Sequence, residues 1–416
     1  MPAYRTFTQH LDPAYKPKRI LALDGGGIRG LLTAGLLQRL EDILRARAGG
    51  DPSFRLSDYF DLIGGTSTGS IIAAGLSLGM SAAEVRDAYF DLGNATFKRS
   101  LLRIGAIRQK YDSENVATAL KGLFKDRTLA SGDFKTGLMV MSKRLDTGSP
   151  WPLSNHPGAR YFSLRDGSTT VPNGEYPLWK VVRASTAAPY YFGPEKIVIK
   201  TGDSKRNLKG VTGEFVDGGV SPNNNPSLAL VLMATIKGYA FNWELGPEQL
   251  LVVSLGTGRK SANVGVSEGL EATSLAHAMR ALSSVMDDCG DLVETTMQWL
   301  SQSPTAREID RELGKVEPAV GAQPRLSYLR YHVMFDPDWF RENLGLDWAD
   351  KDVVALAAMD EPANMPKLDE IGKLAGTRMI QDKHFPPAFD LAYRAGDRRR
   401  CRRNLPSRSW AAASAA

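Results

Sequence analysis

Asp58-Tyr-Phe-Asp-Leu-Ile-Gly-Gly-Thr-Ser-Thr-Gly-Ser-Ile-Ile-Ala-Ala-Gly75 is the stretch from which the rest of the chain can be read. Tyr59 to Ile63 is an apolar patch that predicts a short buried strand, closed by Gly64 and Gly65. Ser70 to Leu78 is apolar and of helix length. Between them Ser67 is the centre of Gly65-Thr66-Ser67-Thr68-Gly69. This is the Gly-x-Ser-x-Gly pattern in the context it requires, a strand before and a helix after. Bulky flanks would collide with the sheet in so sharp a turn. Small ones let the hydroxyl stand clear, near the positive end of the following helix. A plain strand-to-helix turn with an incidental serine uses the same residues, so the decision falls to the rest of the chain.

Upstream, Ile20 to Leu23 predicts a central strand, followed by Asp24-Gly25-Gly26-Gly27-Ile28-Arg29-Gly30 and an amphipathic helix over Leu31 to Arg47. Strand, glycine turn, helix, repeated twice, is the grammar of a layered α/β domain. Downstream, Ser81-Ala-Ala-Glu84 is a capping box for a helix over Ala82 to Leu92. Asn94 to Lys110 mixes basic and apolar residues, as a cap beside a site or a solvated connector does. Asp112-Ser113-Glu114 starts another helix. Thr136 to Ser142, Tyr161 to Leu164 and Glu214 to Val216 read as strands, the last ending at Asp217-Gly218-Gly219. A helix over 178–188 stops at Pro189 before the aromatic cluster Tyr190-Tyr191-Phe192. Ser227 to Ala240 reads as a helix and Leu250 to Leu255 as a strand closed by Gly256-Thr257-Gly258. Helices are expected over 269–287, 290–300, 349–359 and 365–380, with an edge strand from Arg325 to Met334.

The chain has 416 residues, 43% hydrophobic and 24% charged, which is globular composition with room for a large core. The formal net charge is +6, and Arg394, Arg398, Arg399, Arg400, Arg402, Arg403 and Arg408 crowd the C-terminal end. Without that tail the body is near neutral, so no large nucleic-acid surface is implied. Two cysteines make no disulfide framework. Cysteine and histidine spacings suit no metal, so no metal or cofactor is expected. No run of about 18 apolar residues predicts a membrane span. The default compartment is the cytoplasm.

A serine nucleophile needs a base, and a developing oxyanion needs donors. His156, in Ser154-Asn-His-Pro-Gly158, has the most suggestive context of the five histidines. His332 and His384 fit the usual late position without special surroundings. A carboxylate acting directly on the serine is the alternative, and Asp217, at a strand end in a glycine turn, is placed for it. Gly25-Gly26-Gly27 can aim backbone N–H groups at one point that holds a phosphate or an oxyanion. The dinucleotide pattern G-x-G-x-x-G falls in register here, but the acid expected about 20 residues on has no strand end. Arg29 points to negative charge near this loop.

Taken together, Asp24 to Gly30, Gly65 to Gly69 and Asp217-Gly218-Gly219 followed by Asn224-Asn225-Pro226 resemble, in order, the motifs of the patatin-like phospholipases. Leu255-Gly-Thr-Gly258 resembles a later family turn. The resemblance implies a three-layer α/β/α sandwich around a mostly parallel sheet, extended by C-terminal helices. It implies a Ser–Asp dyad, Ser67 as nucleophile and Asp217 as base. Gly25, Gly26 and Gly27 would form the oxyanion hole with Arg29 supporting it, and Gly65, Gly69, Gly218 and Gly219 would shape the turns. The implied activity is hydrolysis of acyl esters of phospholipids or other lipids without calcium and with no cofactor. Any peripheral contact at a membrane surface is expected through exposed apolar and basic cap segments. On this reading residues 15–385 form one catalytic domain, with core motifs in 19–258, a mostly helical part over 260–385, and a disordered basic tail over 397–416. Three rivals stand beside it: a carboxylesterase for other substrates, a ligand-activated defence phospholipase, and a non-enzymatic anion-binding protein. Some bacterial relatives in the family are switched on by a cyclic nucleotide, and no pocket for one is identified in the sequence.

Overall fold

A computed structural model of the chain describes residues 4–96, 111–163, 168–206, 208–260, 274–310, 312–318 and 322–391. The basic tail and 97–110 of the basic segment after Asn94 lie outside them. In chain order the first half comprises α1 (Phe7–Leu11), β1 (Lys18–Leu23), α2 (Gly30–Arg47), α3 (Leu56–Tyr59), β2 (Leu62–Thr66), α4 (Thr68–Ser77), α5 (Ala82–Thr96), α6 (Ser113–Phe124), β3 (Gly137–Arg144), β4 (Pro150–Ser154) and α7 (Leu178–Ser185). The second comprises β5 (Glu195–Lys200), β6 (Val211–Asp217), α8 (Ser227–Thr235), β7 (Leu250–Leu255), β8 (Arg259–Lys260), α9 (Ser274–Leu300), β9 (Ser301–Gln302), β10 (Leu326–Tyr331), β11 (Met334–Phe335), α10 (Pro337–Trp339), α11 (Asp350–Ala355) and α12 (Met365–Met379).

One nine-stranded sheet organises the chain. β9, β10, β7, β1, β2 and β3 run parallel, and β4, β5 and β6 join the β3 end antiparallel. Strands buried on both faces read as continuous apolar runs, and β1 is buried along its whole length. Its alternate residues feed two cores. Leu21 and Leu23 pack with α2, α4, α5 and α12, whereas Ile20 and Ala22 pack with α8 and the end of α9. Helices on both faces of a mostly parallel sheet make this a three-layer α/β fold.

The register at β3 decides where the site forms. Met141 pairs with Thr66 of β2 and with Pro152 of β4, so those strands lie on opposite edges. Ser142 pairs with Trp151 of β4 and with Asp217 of β6. β6 therefore lies on the same edge as β2 and takes over where β2 stops. Thr66 and Asp217 become successive partners along that edge of β3.

Several elements differ from the sequence reading. Tyr59 ends a one-turn helix, capped by the Asp58 carboxylate on the Arg55 N–H at 2.7 Å, and the strand starts later, at Leu62. Gly64 and Gly65 do not close the strand but lie in it. A Cβ on Gly64 would crowd the Leu230 side chain of the opposite layer, so the glycine answers to packing and not to a turn. Tyr161 to Ser163 form a turn, with Phe162 N–H bonded to Ala159 O, and Leu164 lies outside the described residues. The α8 helix stops at Thr235, before Ala240. The two helices expected before residue 300 are one, α9, which runs through Gly290; 269–273 lie outside the description. The expected edge strand sits inside the two-residue β9, and Met334 pairs elsewhere, in β11 with β8.

Candidate active site

Ser67 caps α4 with φ 53° and ψ −125°. A non-glycine residue in that region costs about 1–3 kcal/mol and persists only where its surroundings over-determine it. Here they do. The Ser67 N–H donates to Ser185 Oγ at 2.9 Å, and Ser185 Oγ donates to Met141 O at 2.6 Å. Ser67 O accepts from Ser70 N–H at 2.9 Å and Ser70 Oγ at 2.6 Å. The flanking glycines are obligatory, because a Cβ on Gly65 would overlap the Gly69 backbone, and one on Gly69 would overlap the Leu23 carbonyl.

Asp217 ends β6 and is 4% exposed. Its Oδ1 accepts from the Gly219 N–H at 2.7 Å. Ser67 and Asp217 line the same cavity. Burial raises the Asp217 pKa to about 6, against the opposing pull of the Ser67 hydrogen bond, the Gly219 amide and the Arg183 charge. Such a carboxyl is half-ionised at about pH 6 and mostly ionised at neutrality, yet basic enough to take a proton, as a general base requires. Gly218 and Gly219 let the turn pass close to Met141 and Asn224.

The glycine loop after β1 is held through its carbonyls. Thr257 Oγ1 donates to Gly25 O at 2.7 Å, and Arg29 Nε donates to Gly26 O at 3.3 Å. Tyr89 Oη and Thr68 Oγ1 both donate to Gly27 O, at 2.6 and 2.9 Å. Gly27 has φ 59°, and a Cβ there would overlap the Met359 carbonyl, which accepts from Ile28 N–H at 2.9 Å. The Gly25 N–H is committed to Asn224 O at 3.3 Å, so Gly25 shapes the loop and donates elsewhere than to a ligand. No described residue accepts from the N–H of Gly26 or Gly27. At the loop's root Asp24 forms a buried bidentate pair with Arg330, at 2.9 and 2.6 Å, and Arg330 also donates to Ser254 Oγ at 2.7 Å. Asn223 O accepts from Thr66 Oγ1 at 2.6 Å, so the asparagine run ties the serine turn to the glycine loop.

These three turns face one cavity of about 340 Å³. Ile71, Leu92, Val116, Phe192 and Met286 give it apolar walls, and Arg29, 8% exposed, borders it beside the loop. Burial lowers the Arg29 pKa to about 10, opposed by the charges of Asp287, Tyr191 and Asp24. No histidine is among the described residues that line it. His156 packs on Phe241, and its Nδ1 accepts from Gly158 N–H at 2.9 Å. His384 pairs with the Tyr331 hydroxyl at 3.0 Å, and His332 lies behind the glycine loop. Among the described residues no cluster of metal-binding side chains occurs, and no helix is long and apolar enough to cross a membrane.

Ser67, Asp217, Gly26, Gly27 and Arg29 are thus brought together. A strained serine, a buried carboxylate and two uncommitted N–H groups are the parts of nucleophilic acyl transfer. Sequence reasoning missed Ser185, Tyr89 and Arg330. Arg330, the one charged residue in the strand Leu326–Tyr331, was the one available signal, since a buried cation needs a partner. Ser185 and Tyr89 carry no local mark.

A family model described as patatin-like phospholipase matches residues 21–231. Probable inactive patatin-like protein 9 of Arabidopsis thaliana is 28% identical over 295 residues, 68% of this chain and 72% of that protein. A cGAMP-activated phospholipase of Escherichia coli (strain TW11681) is 29% identical over 247 residues, 58% of this chain and 63% of its own length. Among solved structures, human GIVD cytosolic phospholipase A2 aligns with 12% identity and a TM-score of 0.39, over 87% of this chain and 58% of that one.

Proposed function

The chain belongs to the patatin-like phospholipase family, and on that premise we propose that it is a lipid acyl hydrolase that cleaves carboxylic esters through a Ser67–Asp217 dyad. The observation that carries this reading is that Ser67, the buried Asp217, and Gly26 and Gly27, whose N–H groups have no acceptor among the described residues, line one cavity. Asp217 accepts the hydroxyl proton as Ser67 Oγ attacks the ester carbonyl. The tetrahedral oxyanion lies against the Gly26 and Gly27 N–H groups, each such donor being worth about 10²–10³ in rate. The leaving alcohol or lysolipid takes the proton from Asp217, and Ser67 keeps the acyl group. Water, giving its proton to Asp217, then attacks the acyl-enzyme; the fatty acid leaves and Ser67 Oγ recovers that proton from Asp217. Apolar walls suit the acyl chain, at about 0.8 kcal/mol per buried CH₂.

On this reading the protein works in the cytoplasm, as one catalytic domain over 15–385, and meets phospholipid at a membrane surface. A second reading keeps the chemistry and adds a ligand that switches it on. It is favoured by the relative named as cGAMP-activated. Hydrolysis of phospholipid vesicles and of short p-nitrophenyl esters is compared for wild type, Ser67→Ala and Asp217→Asn, with and without cGAMP. Loss of turnover in both variants supports the dyad, and full activity in either refutes it. Wild-type activity that appears only with cGAMP selects the second reading.

A further inference from the structure

The sheet changes direction beside β1. The chain moves from β1 to β2 and β3 on one side, and returns to β7 and β10 on the other. In open α/β sheets, ligands bind in the crevice beyond the carboxyl ends of the strands at such a switch point. Here the glycine loop divides that crevice in two. The acyl cavity takes the β2 side. On the β7–β10 side, between the loop and α9, lies a second and strongly polar cavity of about 50 Å³. A water needs roughly 10–15 Å³ on this measure, so there is room for a small water cluster or one tetrahedral oxyanion.

The unused hydrogen-bonding capacity of its walls is nearly all of one kind. Both Asp24 oxygens are held by Arg330. Asp291 Oδ1 is shared by Arg259 and Arg307, at 2.7 and 3.0 Å. The Glu294 oxygens accept from Arg307 at 2.9 Å and from Gln298 at 3.4 Å. Left buried without a partner are Arg259 Nε, Arg307 Nε, Arg330 Nε and Asn225 Nδ2, and each is a donor. Arg330 is 8% and Asn225 3% exposed. His332 Nε2 is unpartnered as well. Its Nδ1 faces an arginine nitrogen, Arg330 Nη2, at 3.4 Å and must accept, and burial with four nearby arginines keeps the ring neutral, so Nε2 carries the proton. Arg29 borders the cavity with no carboxylate in ion-pair range among the described residues. Asp287, exposed at the rim, and the second carboxylate oxygen of Asp291 are the acidic groups that oppose an incoming anion.

A ligand that satisfies such walls presents acceptors on several sides. We propose that this crevice binds a phosphate-class oxyanion, held by Arg259, Arg307, Arg330 and Asn225. The same walls carry the glycine loop, through Asp24 on Arg330 and Gly25 on Thr257. Arg330 holds Asp24 with Nη1 and Nη2, and its buried Nε has no partner among the described residues, so an anion that draws this donor to it need not break that pair. Occupancy immobilises Arg330 and with it the root of the loop. The effect on turnover rests on the function proposed above, whereas binding does not, so binding is what the experiment reads.

Thermal unfolding of the full chain is followed as inorganic phosphate, or glycerol phosphate, replaces chloride at constant ionic strength, with ³¹P line widths recorded on wild type. The expected result is a saturable rise in melting temperature and broadening of the ³¹P signal. Arg259→Gln and Asn225→Asp should each weaken apparent affinity about tenfold or more. Asn225→Asp keeps the oxygen that accepts from Ser227 and turns the unpartnered donor into an anionic acceptor that repels phosphate, so it serves if Arg259→Gln fails to fold. Tighter binding of glycerol phosphate than of phosphate points to a lipid headgroup as source, and the reverse order to free phosphate. No saturable shift beyond chloride together with an unbroadened ³¹P signal, or a shift that a folded variant retains in full, overturns the proposal.

Discussion

Asp217→Asn should stabilise the protein in mildly alkaline buffer while abolishing turnover. Burial raises the Asp217 pKa from 3.8 to about 6, the Ser67, Gly219 and Arg183 interactions only partly offsetting it. At about 1.4 kcal/mol per unit, the folded state carries ~3 kcal/mol for holding this carboxylate ionised. The folded chain binds the proton more tightly than the unfolded chain. The cost is therefore absent below 3.8, where both states are protonated, grows as pH rises towards about 6, and is complete above it. Asparagine keeps the oxygen facing the Gly219 N–H and cannot ionise. Urea unfolding of both proteins across this range isolates the one group, because every other titration is shared. The stability difference, variant minus wild type, should rise by ~3 kcal/mol between buffer below the ordinary carboxyl value of 3.8 and mildly alkaline buffer, about half of it already present at mildly acidic pH. Wild-type acylation of a short ester should fall about tenfold per unit below pH about 6, as the base is protonated. A stability difference that does not change with pH, or a rate profile flat down to the ordinary carboxyl value, would refute a buried Asp217 acting as base.

Gly27→Ala should lower kcat by about 10²–10³ with little change in KM for a short ester, because φ 59° and the Met359 carbonyl force the loop to move; stopped-flow acylation reads this. Arg330→Gln leaves Asp24 buried without its bidentate partner and should cost about 3–5 kcal/mol in urea unfolding. Asp61→Asn should flatten the acid limb of the stability curve. Burial alone would raise the Asp61 pKa, but the His10 hydrogen bond and the charges of His10, Arg19 and Arg5 outweigh it and hold it at about 2. Its ~2.5 kcal/mol is thus present above the ordinary carboxyl value of 3.8 and is lost as pH falls towards about 2.

What was legible in the sequence is what the backbone demands locally. Gly65 and Gly69 are spaced as they are because two chain segments pass within a Cβ of each other, and that demand is written beside Ser67 itself. β1 and β7 were legible because a strand buried on both faces must be apolar throughout. Gly64 shows the limit: its absent side chain answers to Leu230, in another layer, and no neighbour in the chain reports that. The Asp24–Arg330 pair joins residues 306 apart. The meeting of Ser67 with Asp217 was legible as two turns but not as a contact, because it depends on pairing. β6 enters antiparallel on the edge of β3 that β2 vacates, so that Asp217 follows Thr66 along one ladder. Side chains alternate faces with a period of two, so a one-residue slip of β6 would turn the carboxylate to the other face of the sheet. Residues Gly213, Phe215 and Asp217 share one face of β6, and Phe215 is packed against Trp151 at 4.9 Å between ring centroids. The aromatic contact two residues upstream therefore holds the register on which the proposed base depends.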